Sequence, residues 1–303
     1  MNGVADSQRA TAIDLLVSWL QKRLTADEFQ WLTAQIQESL RSNSDRSLFI
    51  TLGKIPRKIS RDDLQLDPAE LTAGQATRPG WDPSNWSLSG AARILVLSQM
   101  AQTRGESFMA TYRDICRTAD VTELIELYSA LPLLRPHTLL DQQIGDGLRS
   151  NMRSVFEAIA HRNPYPSENF DQHRWNHMIL KLLFIDSTLA PVQQLDQRAN
   201  PELATILCDY AHERWAAGRP VSCELWRCVG PFATDSQIDD LARALSDADV
   251  HQQQAAAIAL AQSEDPAAMT VLQTNAPLHD AVIQGQLRWD GENPLPLLTG
   301  NNT

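Results

Sequence analysis

With 303 residues the chain can form one extended domain or two compact ones, either large enough to bury a self-sufficient core. Its formal net charge of −11, with no long basic stripe to offset it, disfavours nonspecific attraction to nucleic acid or an anionic membrane and points to a protein or small-molecule partner. The four cysteines, Cys116, Cys208, Cys223 and Cys228, form no CxxC pair and no Cys/His quartet, so neither a structural zinc nor another cofactor is expected, and reduced cytosolic thiols fit best.

The first stretch, MNGVADSQRATAIDLLVSWLQKRL, lacks a charged region leading into an unbroken apolar run, so no signal peptide is expected, and no run approaches membrane-spanning length. Ile13, Leu16, Val17, Leu20 and Leu24 are spaced for one buried helical stripe. Thr25 and Glu28 form a capping box for a second helix with Phe29, Leu32, Ile36 and Leu40, giving an N-terminal hairpin over residues 1–45. Residues 46–86 read as a loop-rich connection. There LFITLGKIPRKI is a helix broken at Pro56, and GQATRPGWDPSNW is a surface loop whose Trp81 and Trp86 anchor it to the core. Ser87 is placed as a helix N-cap.

From residue 88 helix follows helix. AARILVLSQM, ESFMATYRDICRTA and VTELIELYSALPLL each supply an apolar stripe, with Asp120 as the cap of the third. Further helices cover residues 138–148 and 151–160, the latter with Met152, Val155, Phe156 and Ile159 on one face. After the turn at Asn163-Pro164-Tyr165-Pro166, residues 171–184 place Trp175, Met178, Ile179, Leu182 and Leu183 on one face. Asn200, Pro201 and Glu202 then start the helix that ends near Gly218. Thr234 with Gln237, then Val250, Ala257, Ile258 and Ala261, then Asp265-Pro266 mark short paired helices of HEAT type. The expected fold is all-α, a helical-hairpin array forming a HEAT-like α-solenoid or superhelical bundle. It makes a single elongated domain over 1–290, with a central core at 87–233, HEAT-like helices at 234–290 and a flexible tail at 291–303. Gly145 and Gly147 lie between helices and form no phosphate loop.

Polar residues crowd 147–232 at core spacing. Arg149, Asn151, Asn163, Tyr165, Trp175, Asn176, Arg198, Tyr210, Trp215 and Trp226 read either as a hydrogen-bonded staple between helices or as an aromatic-walled pocket with amide and guanidinium groups for a planar metabolite. Asp209, His212 and Glu213 stand at i, i+3 and i+4, the spacing of general acid–base chemistry. Arg198, Arg214 and Arg227 offer a structural clamp for the same carboxylates. His173 and His177, four apart, share a helix face as metal ligands do, but HRWNH lacks the glutamate of an HExxH site and no metal is assigned. Cys208 sits four residues before His212 with no orienting acid in view and reads as a small core residue.

RSNMRSVFEAIAHRNPYP, WNHMILKLLF and LDQRANPELATILCDYAHERWAAGRPVSCELWRCVGPF resemble the EboA family, with KIPRKI and NWSLSGAARILVL as weaker landmarks. The resemblance implies traffic of secondary-metabolite precursors, of the kind associated with cyanobacterial pigment clusters. It implies a cytoplasmic place, peripheral at the inner membrane face, and as partners a small metabolite or other proteins of the cluster, a membrane prenyltransferase among them. It carries no catalytic residues. A non-catalytic scaffold or carrier is the preferred reading, and an enzyme acting through Asp209, His212 and Glu213, with metal assistance at His173 and His177, is the alternative.

Overall fold

A computed structural model describes residues 2–42 and 44–289, so the tail expected at 291–303 lies outside the described residues. The described chain is all-α: helices are joined by turns and short 3-10 segments, no sheet forms among the described residues, and an isolated bridge joins Asp63 and Ser87. The chain divides into two compact units, residues 1–169 and 170–303, with the division falling inside the stretch 87–233 read as a central core.

The first unit contains α1 (Asn2–Arg23), α2 (Ala26–Ser42), α3 (Asp45–Lys58), α4 (Pro68–Thr77), α5 (Leu88–Arg104), α6 (Phe108–Thr118), α7 (Val121–Ser129), α8 (Thr138–Arg149), α9 (Arg153–Ala160) and α10 (Tyr165–Asn169). The capping signals act as written: Thr25 and Glu28 bond reciprocally, Ser87 accepts from the Gly90 amide, and Asp120 and Glu123 form a capping box. Two expectations for 46–86 need revising. The helix runs through Pro56 to Lys58, because a proline so near the C-terminal end removes one ladder bond while the Ile59 amide still reaches the Ile55 carbonyl. Residues 68–77 are also helical, started by an Asp67 capping box with Pro68 in the first turn.

The apolar run of α5 is not one stripe. Ser89 to Ser98 are all buried, and α1, α2, α3, α6 and α7 pack around them, so α5 is the enclosed axis of this unit. Trp19, Trp81 and Trp86 form an aromatic chain with ring centroids 5.3 and 5.8 Å apart, which pins the 78–87 loop to α1 as the sequence suggested. Arg78, buried, holds Glu168 by two bonds of 2.5 and 2.6 Å and donates to the Pro132 carbonyl. Met152, expected on the buried face of α9, is instead its exposed N-cap.

The second unit contains α11 (Gln172–Phe184), α12 (Leu195–Arg198), α13 (Pro201–Ala216), α14 (Trp226–Val229), α15 (Asp235–Leu245), α16 (Val250–Gln262), α17 (Pro266–Gln273) and α18 (Ala276–Ile283). It too has an enclosed axis. Ala255 to Leu260 of α16 are buried on every side, and α14, α15, α17, α18 and the turns at 223–225 and 230–232 surround them. Val250 and Ala261 are therefore not the buried markers expected: the run of small side chains is itself the core, and it lets neighbours come close. Gly230 lies so near α16 that an added Cβ would stand 2.6 Å from the Ala259 Cα and 2.7 Å from its carbonyl oxygen.

Candidate functional site

Of the ten nominated ligand residues, Arg149, Asn151, Asn163 and Tyr165 belong to the first unit and the other six to the second. In the second unit, Asn176 of α11 and Asn200, the N-cap of α13, exchange amide bonds. Asn200 Nδ2 donates to Asn176 Oδ1 at 2.9 Å, Asn176 Nδ2 donates back at 3.3 Å, and Asn200 Oδ1 also accepts from the Leu203 amide at 2.9 Å. The helix-start signal Asn-Pro-Glu thus also staples two helices. Beside it Arg198 donates to the Phe170 carbonyl at 3.0 Å and lays its guanidinium 4.7 Å from the centre of the fully buried Trp175 ring, and burial lowers the Arg198 pKa. Trp226 is fully buried and donates to Gln252 of α16 at 2.8 Å, while Gln252 donates to the Val221 carbonyl. Trp215 is partly exposed, with Arg243 4.0 Å over its face and the Trp226 ring 5.9 Å away; Tyr210 donates to the Leu183 carbonyl at 3.3 Å.

The acid–base trio is arranged differently from its sequence spacing. Asp209, His212 and Glu213 are all exposed, and His212 directs Nε2 to Asp240 of α15 at 2.7 Å. Asp240 went unnoticed in the sequence because it lies 28 positions away and reads as an ordinary polar residue of α15. The Cys208 thiol lies beside the same carboxylate; burial first, and then that negative charge, push it up to about 12, so at neutral pH it is a thiol and not a nucleophile. Arg227 holds Asp196 by bonds of 2.6 and 2.7 Å, and Arg214 donates to the Pro220 carbonyl at 2.8 Å.

His173 and His177 are exposed on α11 with their rings 4.3 Å apart. Among the described residues no group of three or more His, Cys, Asp or Glu side chains is placed to hold a metal ion. In the first unit, Asn163 is buried, accepts from the Tyr165 amide at 3.0 Å and donates to the Ala158 carbonyl, which shapes the turn between α9 and α10; Tyr165 is buried beside it. Arg149 is exposed and bonds Asp146, and Asn151 is exposed.

One hollow lies where the sequence reading nominated nothing. A cleft of about 380 Å³ in the first unit is lined by α1, the end of α5, α6 and residues 133–137. Ile13, Ala101, Met109 and Leu133 give it an apolar wall, and Asp6, Arg9, Arg135 and His137 give it charge and donors. Its residues are scattered over four segments, each of which reads as an ordinary amphipathic surface, so no local spacing announces it. A second, smaller cleft of about 210 Å³ is lined by Trp86, Glu157, His161 and Asn163 among others, so one nominated residue, Asn163, lines a hollow.

A family model described as "Metabolite traffic protein EboA" matches residues 12–230 of the chain. No curated protein and no solved structure matches it.

Proposed function

This chain belongs to the EboA family, and from that premise we propose that it is a non-catalytic scaffold or carrier in secondary-metabolite biosynthesis and export. It binds a small aromatic or prenylated precursor, or docks partner enzymes of the same cluster such as a membrane prenyltransferase, at the cytoplasmic face of the membrane. The family's description as a metabolite traffic protein supports the role, and no described helix is long and apolar enough to cross a membrane. The observation that carries the non-catalytic part is the use of the polar groups in 170–232. The Asn176–Asn200 pair, Arg198 over Trp175 and Trp226 on Gln252 join helices, while Asp209 and Glu213 stand in solvent. HEAT-type stacking of α15 to α18 belongs to the same proposal, on the packing of α15 against α16 and of α16 against α17.

One observation favours an enzyme as the second reading: the His212–Asp240 pair is a base with an orienting acid. Native mass spectrometry of the protein purified gently from its host, compared with His212→Ala, tests both. A carrier retains a small molecule in wild type and variant alike. Product accumulating on the wild type and unconverted precursor on His212→Ala would establish the enzyme, and a bare polypeptide mass without ligand or partner subunits would remove the carrier reading.

A further inference from the structure

The 380 Å³ cleft of the first unit is lined by two guanidiniums, those of Arg9 and Arg135, and by the carboxylates of Asp6 and Glu106. A single carboxylate oxygen, Asp6 Oδ1, accepts from Arg9 Nη1 at 3.1 Å and forms an ion pair with Arg135, whose Nε stands 2.9 Å away. Arg9 is mostly buried, its Nε–H has no acceptor among the described residues, and its pKa is lowered by burial first and then by the neighbouring Arg78. Arg78 is itself paired with Glu168 through both oxygens, and the Asp6 and Glu168 charges offset part of the lowering. A part-buried guanidinium with one unmet N–H is stabilised by a further acceptor.

The third donor follows from a helix start. His137 is the N-cap of α8, and its Nδ1 accepts from the Leu139 amide at 3.1 Å, so the proton of the neutral ring sits on Nε2. In the same lining, Ile13, Met109 and Leu133 are each at most 4% exposed and supply apolar surface. The exposed Glu106 and the Asp6 carboxylate add negative charge to the lining, which opposes a doubly charged guest.

We propose that this cleft is the binding site for a small organic monocarboxylate with an apolar body, its carboxylate taken by Arg9 and Arg135 and its body laid on the Ile13, Met109 and Leu133 wall. The proposal names the chemistry of the cargo and in that respect rests on the carrier reading, although the site's physics does not depend on it.

Isothermal titration of the full chain with 4-phenylbutyrate, its neutral amide and phenyl phosphate tests the site. The carboxylate is expected to bind and the amide and the phosphate to be at least about tenfold weaker. Arg9→Gln should weaken the carboxylate about tenfold or more, and Arg135→Gln, at an exposed position where folding is safe, several-fold. Amide binding equal to the carboxylate's, unchanged binding in both arginine variants, or no binding of any probe overturns the proposal. The two readings also fail separately. A molecule retained from the host by Arg135→Gln as firmly as by wild type removes this site and leaves the carrier. Arginine-dependent binding of 4-phenylbutyrate to a protein that retains nothing from its host leaves the site and removes the carrier.

Discussion

If the amides of 170–232 are a staple between helices and not pocket groups, Asn176 and Asn200 must be coupled in stability. Asn176 is 1% exposed, and the pair exchanges two bonds, so Asn176→Ala should cost about 1–3 kcal/mol at about 0.5–1.5 kcal/mol net per bond. Asn200→Ala loses the same two bonds and also the cap on the Leu203 amide, about 1 kcal/mol more, for roughly 2–4 kcal/mol. The cap and the Asn200 bond to the Arg198 carbonyl act in one single variant and in the double variant equally, so they cancel in a cycle. A coupling energy of about 1–2 kcal/mol should remain. Urea unfolding followed by circular dichroism at 222 nm, with an unchanged slope across the four proteins, reads it out. Coupling below about 0.5 kcal/mol would refute the staple. Loss of a host-derived ligand from variants that keep full stability would show that the amides face a guest.

Three other outcomes follow from the packing and the charges. Gly230→Ala should destabilise by about 1–3 kcal/mol in the same urea assay, because its methyl would meet Ala259 backbone, whereas Gly53→Ala, with open space around it in α3, should be neutral or stabilising by up to about 1 kcal/mol. The Glu70 carboxyl is held down to about 2, chiefly by Arg23, with burial opposing and Lys22 adding. Its depressed pKa means that its stabilisation is present above the ordinary carboxylate range and is lost as the pH falls towards 2, so the melting-temperature gap between wild type and Glu70→Gln should narrow from pH 7 to pH 3. Burial pushes the thiols of Cys116, Cys208 and Cys228 up to about 12 and that of Cys223 to about 11, so a thiol reagent at pH 8 should modify none of them before unfolding and all four in denaturant.

Helix placement was legible because local rules determine it: Thr25 with Glu28, Ser87, Asp120 and Asn200 each cap the helix they were expected to cap. What failed was the distinction between a helix buried on one side and one buried on all sides. AARILVLSQM and AAAIAL both continue apolar around the helix, and periodicity read only a stripe in each. In the nominated stretch the residue types were noticed but their partners were not, since Gln252 and Asp240, outside that stretch, supply the bonds to Trp226 and His212. The cleft left no trace in spacing, because Asp6, Arg9, Met109 and Arg135 meet only in three dimensions.

The packing of α16 against 226–232 bears on where the family's common part can end. The match stops at residue 230, yet the acceptor of the Trp226 indole and the surface fitted to Gly230 are both supplied from beyond it. A protein ended there would leave the Trp226 indole N–H without its acceptor and uncover the surface around Gly230. Any relative built without α15 and α16 must therefore close that face with another segment or with a partner chain, and the residues it places opposite positions 226 and 230 would reveal which route its lineage took.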